Sequence, residues 1–406
     1  MSTSIPRRGL AMAELLIAGA GPQALALSCQ LLQKRPQWRR HLRVVDPTGA
    51  WMVRWQRQMQ AYEIPWLRSP SPHHPHPNPH ALRRYAQDQQ RMRELEGPYG
   101  LPHTGLFADF CRGVVQEFQL AERVQAASVA QIQLGPARPA SLQVTLSDGA
   151  LIQPRRLVLA TGMGEPVLPS WVTRIASPYP AEALQHSQTL DLATCHGLLA
   201  QHILIVGAGL TSAHLALGAL RRGAQVTMLC RRTLRSRPFD ADPGWLGPKY
   251  LKAFHAEACW RRRHRQVVAA RDGGSITPLL AAQLDQMRRR GRLQLHEQGQ
   301  VQSACWQVGG WQVDCLDGCR HRADRLWLAT GHRQGVSQHP LLRQLLDQKP
   351  IELINDFPVL TSDLRWPGTN VHLMGGLSAL QLGPAARNLF GGLEAAKRIA
   401  RAAVKA

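Results

Sequence analysis

The sequence has few acidic residues for its size, and this shortage bears on the partners that the protein could bind. Among 406 residues, Asp and Glu number 27 against 49 Lys and Arg, which gives a net charge of +22. A surplus of this size is typical of proteins that bind anionic partners such as nucleic acid. The arginines are scattered, however, with denser runs only at 261–265 and 288–292, and no aromatic stacking motif accompanies them. We therefore expect solvated basic surfaces rather than nucleic-acid binding.

Closely spaced cysteines and long apolar runs are also missing. The eight cysteines form no C-x-x-C motif, and Cys315 and Cys319 enclose Leu-Asp-Gly, which is typical of a hairpin turn. Reduced thiols in a cytoplasmic protein are the simplest interpretation, and no metal site is predicted. No apolar run reaches the roughly eighteen residues of a membrane helix, so no membrane partner is expected. We interpret the stretch after Arg7 and Arg8 as a buried strand rather than an export signal.

Residues 15–46 combine an apolar strand, a glycine-rich turn, a helix and a second strand. The turn reads Gly19-x-Gly21-x-x-Ala24, and the second strand ends on Asp46. In a dinucleotide-binding unit, the first glycine allows the tight turn and the second lets the backbone approach a pyrophosphate at the helix N-terminus. The terminal acid accepts hydrogen bonds from a ribose. The residues predicted to contact this nucleotide are Gly19, Gly21, Pro22, Gln23 and Asp46.

The same pattern returns at 203–232, but its second strand ends differently. Cys230-Arg231-Arg232 stands where the first unit has its acid. Arginines at this position can pair with a 2′-phosphate, which favours NADPH. The alternative is that they are solvated surface residues at the end of a strand and bind no ligand. The residues predicted to bind this second nucleotide are Gly207, Gly209, Leu210, Thr211, Ser212, Arg231 and Arg232.

A second repeated pair supports a duplicated architecture. Residues 148–162 and 317–331 each begin with Asp-Gly and end, at the same spacing, with Ala-Thr-Gly. Each is typical of a hairpin turn followed by a buried strand that carries its last residues to the nucleotide. We therefore predict an α/β protein with two Rossmann-like dinucleotide-binding domains, each having a parallel sheet and an antiparallel β-meander. Thr161, Gly162, Thr330 and Gly331 join the predicted cofactor contacts.

Several motifs resemble those of a known superfamily. The stretches "VVDPTGAWMVRW", "LFADFCRGVVQEFQL", "LVLATGMGEPVLP" and "DRLWLATGH" are similar to those of the two-dinucleotide-binding-domain flavoproteins. Within them the chain most resembles the class B flavin monooxygenases, which include the flavin-containing monooxygenases and the lysine and ornithine N-hydroxylases. It departs at His332, where the N-hydroxylases have tyrosine, and at Pro180 and Glu182, where the flavin-containing monooxygenases have Phe and Gly.

The resemblance implies FAD and NADPH as cofactors, with a small molecule and O₂ as the reacting partners. NADPH would reduce FAD, and a C4a-hydroperoxyflavin would then transfer one oxygen to a small nucleophile, with amine N-hydroxylation favoured. Trp51 and the turn Gly383-Pro384-Ala385 would contact FAD, and a helix opening at Pro384 would point at the flavin. Three alternatives stay open: an NADPH-dependent flavoprotein reductase, a dithiol oxidoreductase, and an FAD-binding regulatory or interaction module.

The resemblance also implies a domain plan. The FAD domain would comprise 1–196 and 332–406, and the NADPH domain 197–331 would be inserted into it. Residues 238–300 are expected to form a helical lid-like insertion over the flavin. The predicted substrate-lining residues are Arg68, Trp245, Lys249 and Tyr250. Substrate identity and oligomeric state, including a homo-oligomer, are left open.

The most unusual stretch is "SPSPHHPHPNPH" at 69–80, which holds four histidines among five prolines. Clustered histidines can bind zinc, but no cysteine or carboxylate stands at ligand spacing here. Alternating prolines favour a stiff, extended backbone. We predict that this segment forms one wall of the flavin site, where His73 or His74 would donate hydrogen bonds or accept a substrate proton. Together with His332 they are the candidate catalytic residues.

Overall fold

The computed structural model describes residues 11–137, 139–162, 164–271 and 273–405. Arg7 and Arg8, interpreted above as not belonging to an export signal, lie outside the described residues. So do Met163, within one of the quoted motifs, and Asp272, within the predicted insertion 238–300.

The elements up to residue 186 begin with the predicted strand, turn, helix and strand. They are β1 (Ala11–Ala18), α1 (Pro22–Lys34), β2 (Leu42–Asp46), α2 (Val53–Ala61), α3 (Ala81–Asp88), β3 (Leu95–Glu96), β4 (Leu101–Pro102), α4 (Thr104–Glu117), β5 (Val124–Ala126), β6 (Val129–Leu134), β7 (Leu142–Leu146), β8 (Leu151–Leu159), β9 (Glu165–Pro166) and β10 (Leu184–His186).

The middle of the chain repeats this pattern and adds helices. Its elements are β11 (His202–Val206), α5 (Leu210–Arg221), β12 (Gln225–Cys230), α6 (Pro248–Ala256), α7 (Trp260–Arg271), α8 (Pro278–Arg289), β13 (Leu293–Glu297), β14 (Val301–Gln307), β15 (Gly310–Cys315), β16 (Arg320–Ala323) and β17 (Arg325–Leu328).

The last part of the chain returns to the first sheet. It contains β18 (His332–Arg333), α9 (Pro340–Gln348), β19 (Leu353–Ile354), β20 (Phe357–Pro358), β21 (Val371–Leu373), α10 (Ala379–Leu382) and α11 (Leu389–Lys405). Short 3₁₀ turns connect several of these elements, including one at Pro243–Leu246.

The first sheet joins strands from both ends of the chain. β5, β2, β1, β8 and β21 run parallel, and β8 continues into an antiparallel meander with β7 and β6. Leu15, Leu16 and Ile17 on the central strand β1 are fully buried. A strand that is apolar at consecutive positions must be covered on both faces, which is typical of parallel sheets between helix layers. Helices α1 and α11 pack closely against each other beside this sheet.

The second sheet is wholly parallel, in the order β10-β17-β11-β12-β13, and an antiparallel meander β14-β15-β16 accompanies it. The prediction of two α/β units, each with a parallel sheet and a meander, is therefore confirmed. The strand β10 precedes residue 197, so the sheet begins before the boundary expected for the second domain. The two connections between the sheets run side by side, because β9 pairs antiparallel with β18.

The segment 238–300 has two parts that pack differently. Phe254 on α6 and Val267 on α7 belong to the core around the first sheet. By contrast, Leu280 and Leu284 on α8 belong to the core of the second sheet, where α8 packs against α5 and β13. The candidate covering segment is therefore the part that ends at Arg271. Among the described residues, no helix combines the length and apolar character that crossing a bilayer requires.

Candidate active site

The first glycine turn, between β1 and α1, leaves space for a ligand. A Cβ on Gly19 would lie 2.4 Å from the carbonyl oxygen of Ala160, and the φ of Gly19 is +106°, so the turn requires glycine here. A Cβ on Gly21, the N-cap of α1, would meet no protein atom within 4 Å. No side chain caps this helix end. Its unpaired N–H groups can therefore receive a pyrophosphate.

Asp46, at the end of β2, is tied to the same turn. One carboxylate oxygen accepts a hydrogen bond from the backbone N–H of Ala20 at 3.0 Å, and the other accepts from the N–H and hydroxyl of Thr48 at 2.9 and 2.6 Å. This holds the carboxylate beside the mouth of the turn, as the motif predicts. The indole N–H of Trp51 donates to the carbonyl of Leu120 at 2.8 Å, and only 8% of the residue is exposed. Its side chain packs in the core.

The second glycine turn has the same close approach and the same open space as the first. A Cβ on Gly207 would lie 2.4 Å from the carbonyl oxygen of Ala329, and a Cβ on Gly209 would meet nothing within 4 Å. Helix α5 also begins at Leu210 without a side-chain cap, leaving Leu210 and Thr211 half-buried at its first turn. Ser212 is buried and donates its hydroxyl to the carbonyl of Gly209 at 2.7 Å. This bond braces the turn.

Arg232 packs against the segment beside the second turn, whereas an acid lies beside the first. A Cβ on Gly273 would lie 2.0 Å from the guanidinium of Arg232, and Gly274 lies beside the Cα of Gly209. Burial, followed by the charges of Arg235 and Arg231, lowers the pKa of Arg232. This crowding of like charges next to an open helix N-terminus suits a ligand that carries more than one phosphate.

The two Ala-Thr-Gly segments close these turns from the neighbouring strand. The hydroxyl of Thr161 lies 2.9 Å from Nε2 of His339, and the hydroxyl of Thr330 donates to the carbonyl of Val167. Gly162 and Gly331 would each place a Cβ in open space. The first segment borders a cavity of about 220 Å³ at the carboxyl ends of β8 and β21. Its polar lining includes Arg54, Thr161, Gln188, Gln334 and His339.

A larger cavity of about 720 Å³ lies at the opposite, amino-terminal edge of the first sheet. It contains none of the predicted site residues. Ligands of open α/β sheets bind at the carboxyl ends of the strands. The smaller cavity is therefore the better candidate for ligand binding despite its size.

His332 stands between the two sheets, where β18 crosses β9. Its ring packs at right angles against His186 at 5.4 Å, and no described residue hydrogen-bonds its buried Nε2. Burial, with the nearby charges of His186, Arg54 and Arg387, lowers its pKa. A neutral imidazole with an unpaired buried nitrogen can hydrogen-bond a ligand. The structure alone brings His186 to His332.

The histidines of the proline-rich run separate into different environments. His74 is 1% exposed and its ring packs edge-on against Phe110 of α4 at 5.0 Å. His73 is half-buried and lies 5.4 Å from Phe390, at the start of α11. Burial lowers the pKa of each to about 4. Of the two, only His73 contacts α11. Because their pKa values are lowered, neither histidine is a strong base at neutral pH.

The C-terminal turn corrects one prediction. Residues 384–387 form hydrogen-bonded turns, and α11 begins at Leu389, not at Pro384. The N–H of Ala386 bonds the carbonyl of Gly383 at 3.2 Å, and that of Asn388 bonds Ala385 at 2.9 Å, so the bonds span three residues rather than four. Proline suits such a turn as well as a helix start. Pro384 and Ala385 are buried.

The aromatic part of the inserted segment covers this turn. A Cβ on Gly383 would contact Leu251, Trp245 and Phe254 at 3.2 to 3.8 Å. Trp245 packs against Tyr250 at 5.4 Å, and the ammonium of Lys249 lies 5.1 Å from the Tyr250 ring. Lys249 itself is exposed. Three of the predicted lining residues, Trp245, Lys249 and Tyr250, therefore lie together. Of these, Trp245 contacts the turn.

Charged residues that sequence reasoning missed fasten this segment. Arg271 donates to Asp240 at 2.8 Å and to the carbonyl of Pro384 at 2.9 Å, while Asn388 donates to Asp240 at 3.1 Å. Burial opposes ionisation of Asp240, but Arg271, Arg387 and Arg68 outweigh it, and its pKa is lowered. No short motif signals this cluster, because its members come from distant parts of the chain.

Arg68, predicted to line the substrate site, bonds extensively to the inserted segment. Its guanidinium donates to the carbonyls of Pro238, Ser275 and Arg237 at 3.0, 3.0 and 2.6 Å, and to the Ser275 hydroxyl at 2.8 Å. These bonds engage all three guanidinium nitrogens. They join the segment after α2 to the inserted segment, which leaves little capacity for a substrate.

Comparison with known proteins places these features in a common fold. The family model described as FAD-NAD(P)-binding matches residues 16–164. No curated protein matches the sequence significantly. The ornithine hydroxylase of Pseudomonas aeruginosa superposes with a TM-score of 0.76 at 18% identity, covering 97% of this chain and 99% of that one.

Two other solved structures show how widely the fold is used. The ornithine N-hydroxylase of Kutzneria sp. 744, solved with reduced FAD, NADP⁺ and L-ornithine, has a TM-score of 0.78 at 14% identity, covering 97% of this chain and 99% of that one. The bacillithiol disulfide reductase of Staphylococcus aureus has a TM-score of 0.61 at 15% identity and covers 98% and 99%. The chain therefore has the two-dinucleotide-binding-domain flavoprotein fold, and the predicted resemblance is confirmed at the level of fold.

Proposed function

We propose that the protein is an FAD- and NADPH-dependent monooxygenase that transfers one oxygen atom of O₂ to a small nucleophile, most favourably an amine. The observation that carries this proposal is the pair of open glycine turns, one bordered by Asp46 and the other followed, after its second strand, by Arg231 and Arg232. Two dinucleotides that differ in the 2′-phosphate fit this pair. The N-hydroxylases named above, which share the fold over nearly the whole chain, support the choice of reaction.

FAD would occupy the first turn and NADPH the second. Gly19, Gly21, Pro22, Gln23, Asp46, Thr161 and Gly162 would hold the first, and Gly207, Gly209, Leu210, Thr211, Arg231, Arg232, Thr330 and Gly331 the second. When bound, the pair supplies hydride transfer and oxygen activation. The proposed domains keep 1–196 and 332–406 for FAD and 197–331 for NADPH, with β10 pairing into the second sheet and α6 and α7 packing on the core of the first. A cytoplasmic location suits a protein with these cofactors.

The chain's own contribution is to exclude water and to present neutral hydrogen-bonding groups. Trp245, Leu251 and Phe254 cover the Gly383 turn with apolar surface. Excluding water matters in such a site because reactive oxygen chemistry otherwise ends in side reactions. His73 and His332 have lowered pKa values and are uncharged at neutral pH. Hydrogen bonding, rather than proton abstraction, is therefore the role that we propose for them.

The dithiol alternative finds little support in the cysteines. All eight are free thiols, and Cys29, next to the first turn on α1, is fully buried with a pKa raised by its burial. A buried, protonated thiol is a poor nucleophile. An NADPH-dependent reductase with no oxygen insertion, and an FAD-binding module with no turnover, would use the same two turns and are distinguished only by assay.

The test measures NADPH oxidation, O₂ uptake, peroxide and hydroxylated product together on the FAD-loaded protein. L-ornithine, L-lysine and cadaverine are suitable substrates, because the last two differ only in a carboxylate. A monooxygenase forms product in proportion to NADPH oxidised with at least one amine. Fast reduction of an artificial electron acceptor without product indicates a reductase, and the absence of any turnover indicates a binding module.

A further inference from the structure

Five potential metal ligands converge on the meander of the second unit. His296 lies near the end of β13, Cys315 ends β15, Asp317 and Cys319 lie in the following turn, and His321 is on β16. Sequence spacing alone predicts no metal site, because His296 is separated from the others by the hairpin β14-β15. We refer to these five residues as the meander cluster.

The register of the hairpin explains why the side chains meet. Val313 pairs with His321 and Asp314 with Arg320, so Cys315 faces Cys319 across the turn, where its N–H bonds the carbonyl of Cys319 at 2.9 Å. Side chains two residues apart point to the same face of a strand. Cys315, Cys319 and His321 therefore share the face on which Val313 is fully buried. His296 approaches the same face from β13.

Within the meander cluster, one set has the chemistry and spacing of a metal site. The ligand atoms of His296, Cys315 and His321 all lie within 4.8 Å of one another, and Nδ1 of His296 is 2.9 Å from Nε2 of His321. A tetrahedral zinc ion with bonds of about 2.0–2.3 Å needs its ligand atoms roughly 3.3–3.8 Å apart. Small rotations of the side chains would reach that spacing from the positions observed.

Asp317 occupies the position of an orienting carboxylate. Its Oδ2 lies 2.7 Å from Nε2 of His296, and its Oδ1 accepts the N–H of Cys319 at 3.1 Å. A histidine that binds a metal commonly donates its other ring N–H to a carboxylate, which fixes the tautomer and the ring orientation. With Nε2 protonated toward Asp317, the lone pair of Nδ1 faces His321 and Cys315. The carboxylate thus selects the nitrogen that a metal requires.

A second set, of His296, Asp317 and Cys319, also lies within 4.8 Å. It would use the opposite nitrogen of His296, so the two sets exclude each other at a single ion. Two of its members, Asp317 and Cys319, are exposed, whereas Cys315 in the first set is buried and its two histidines are half-buried. The first set therefore offers the drier site and keeps Asp317 as the partner of His296.

We propose that His296, Cys315 and His321 bind Zn²⁺, with Asp317 orienting His296 and solvent at the fourth position. Two imidazoles and a thiolate suit zinc better than magnesium or calcium, which take oxygen ligands. The ion would fasten β13, the edge strand of the second parallel sheet, to the hairpin β15-β16. This proposal concerns structure and holds whether or not the protein is a monooxygenase.

The direct test titrates Zn²⁺ alone into the FAD-loaded protein after dialysis against a chelator and a phosphine reductant. We expect one zinc per chain, measured by competition with a chromophoric chelator, and a rise of several degrees in melting temperature. Cobalt should bind with the visible bands of a tetrahedral N/S site, at wavelengths beyond the flavin absorption. Failure of the wild-type protein to bind a stoichiometric ion would overturn the proposal.

Variants assign the ligands. Cys315→Ser and His321→Ala should abolish stoichiometric binding, and Asp317→Asn should weaken it by about 10–100-fold, as loss of such a partner does. Cys319→Ser and Cys305→Ser, the latter on β14, are matched cysteine controls that should bind normally. Zinc lost in Cys319→Ser but kept in Cys315→Ser would overturn the proposed set. Circular dichroism and FAD content show whether each variant is folded. If a variant does not fold, the zinc titration of the wild-type protein still tests the proposal.

Discussion

The two glycine turns allow a prediction in which protein stability and ligand affinity change in opposite directions. At Gly21 the backbone has φ −82° and ψ −175°, and at Gly209 it has φ −106° and ψ −179°. Alanine adopts both conformations without strain, and its Cβ would meet no protein atom within 4 Å at either position. Such replacements stabilise a protein by about 0.4–1 kcal/mol, because they restrict the unfolded chain.

A bound dinucleotide would instead meet the added methyl group. If each glycine is where the backbone approaches a pyrophosphate, overpacking costs about 1–3 kcal/mol of binding energy. That corresponds to a loss of affinity of roughly 5- to 150-fold. Gly21→Ala should lose FAD affinity, whereas Gly209→Ala should keep FAD and raise the KM for NADPH.

Gly19→Ala is the contrasting control, since its Cβ would lie 2.4 Å from the carbonyl oxygen of Ala160 at a φ of +106°. Overpacking of about 1–3 kcal/mol and left-handed strain of about 1–2 kcal/mol should destabilise the protein itself. Denaturation of the FAD-free protein measures stability, and flavin fluorescence quenching measures affinity. Wild-type FAD affinity in Gly21→Ala, or an unchanged KM in Gly209→Ala, would refute the placement of the cofactors.

Four further variants test other parts of the site. Arg232→Gln should raise the KM for NADPH about tenfold and leave the KM for NADH unchanged, because it removes a charge-assisted phosphate contact. An equal rise in both KM values would contradict this. His74→Ala should cost about 2–4 kcal/mol of stability through the cavity it leaves, whereas His73→Ala should keep stability and increase peroxide per NADPH; the reverse pattern would contradict the assignment. Asp240→Asn should speed proteolysis within 238–271, and unchanged cleavage would count against its fastening role. Because the folded pKa of Asp240 is lowered, the wild-type contribution is complete at neutral pH and is lost only as the pH falls through that pKa.

The sequence by itself determined the fold and the positions of the two glycine turns. In both units the strand, the two glycines and the helix start are consecutive, and the acid or the arginines follow where the second strand ends. Local periodicity and turn chemistry are sufficient to recognise such a unit. The repeated Ala-Thr-Gly segments were predictable for the same reason, and the structure places them beside Gly19 and Gly207.

Only the tertiary structure decided what the isolated histidines and arginines do. His73 and His74 are adjacent in sequence, yet Phe390 packs against one and Phe110 against the other. Arg68 was expected at a substrate, but carbonyls some 170 and 207 residues further along the chain occupy its guanidinium. Burial and hydrogen-bond partners set the pKa and reach of such groups, and these depend on long-range contacts.

The meander cluster shows the same limit of sequence reasoning. Cys315 and Cys319 were interpreted as the ends of a hairpin turn, which the structure bears out, since the N–H of Cys315 bonds the carbonyl of Cys319. What local spacing could not contain is the approach of His296 from the edge of a different sheet. A turn is specified by neighbouring residues, whereas a convergent site forms only after distant strands have packed together.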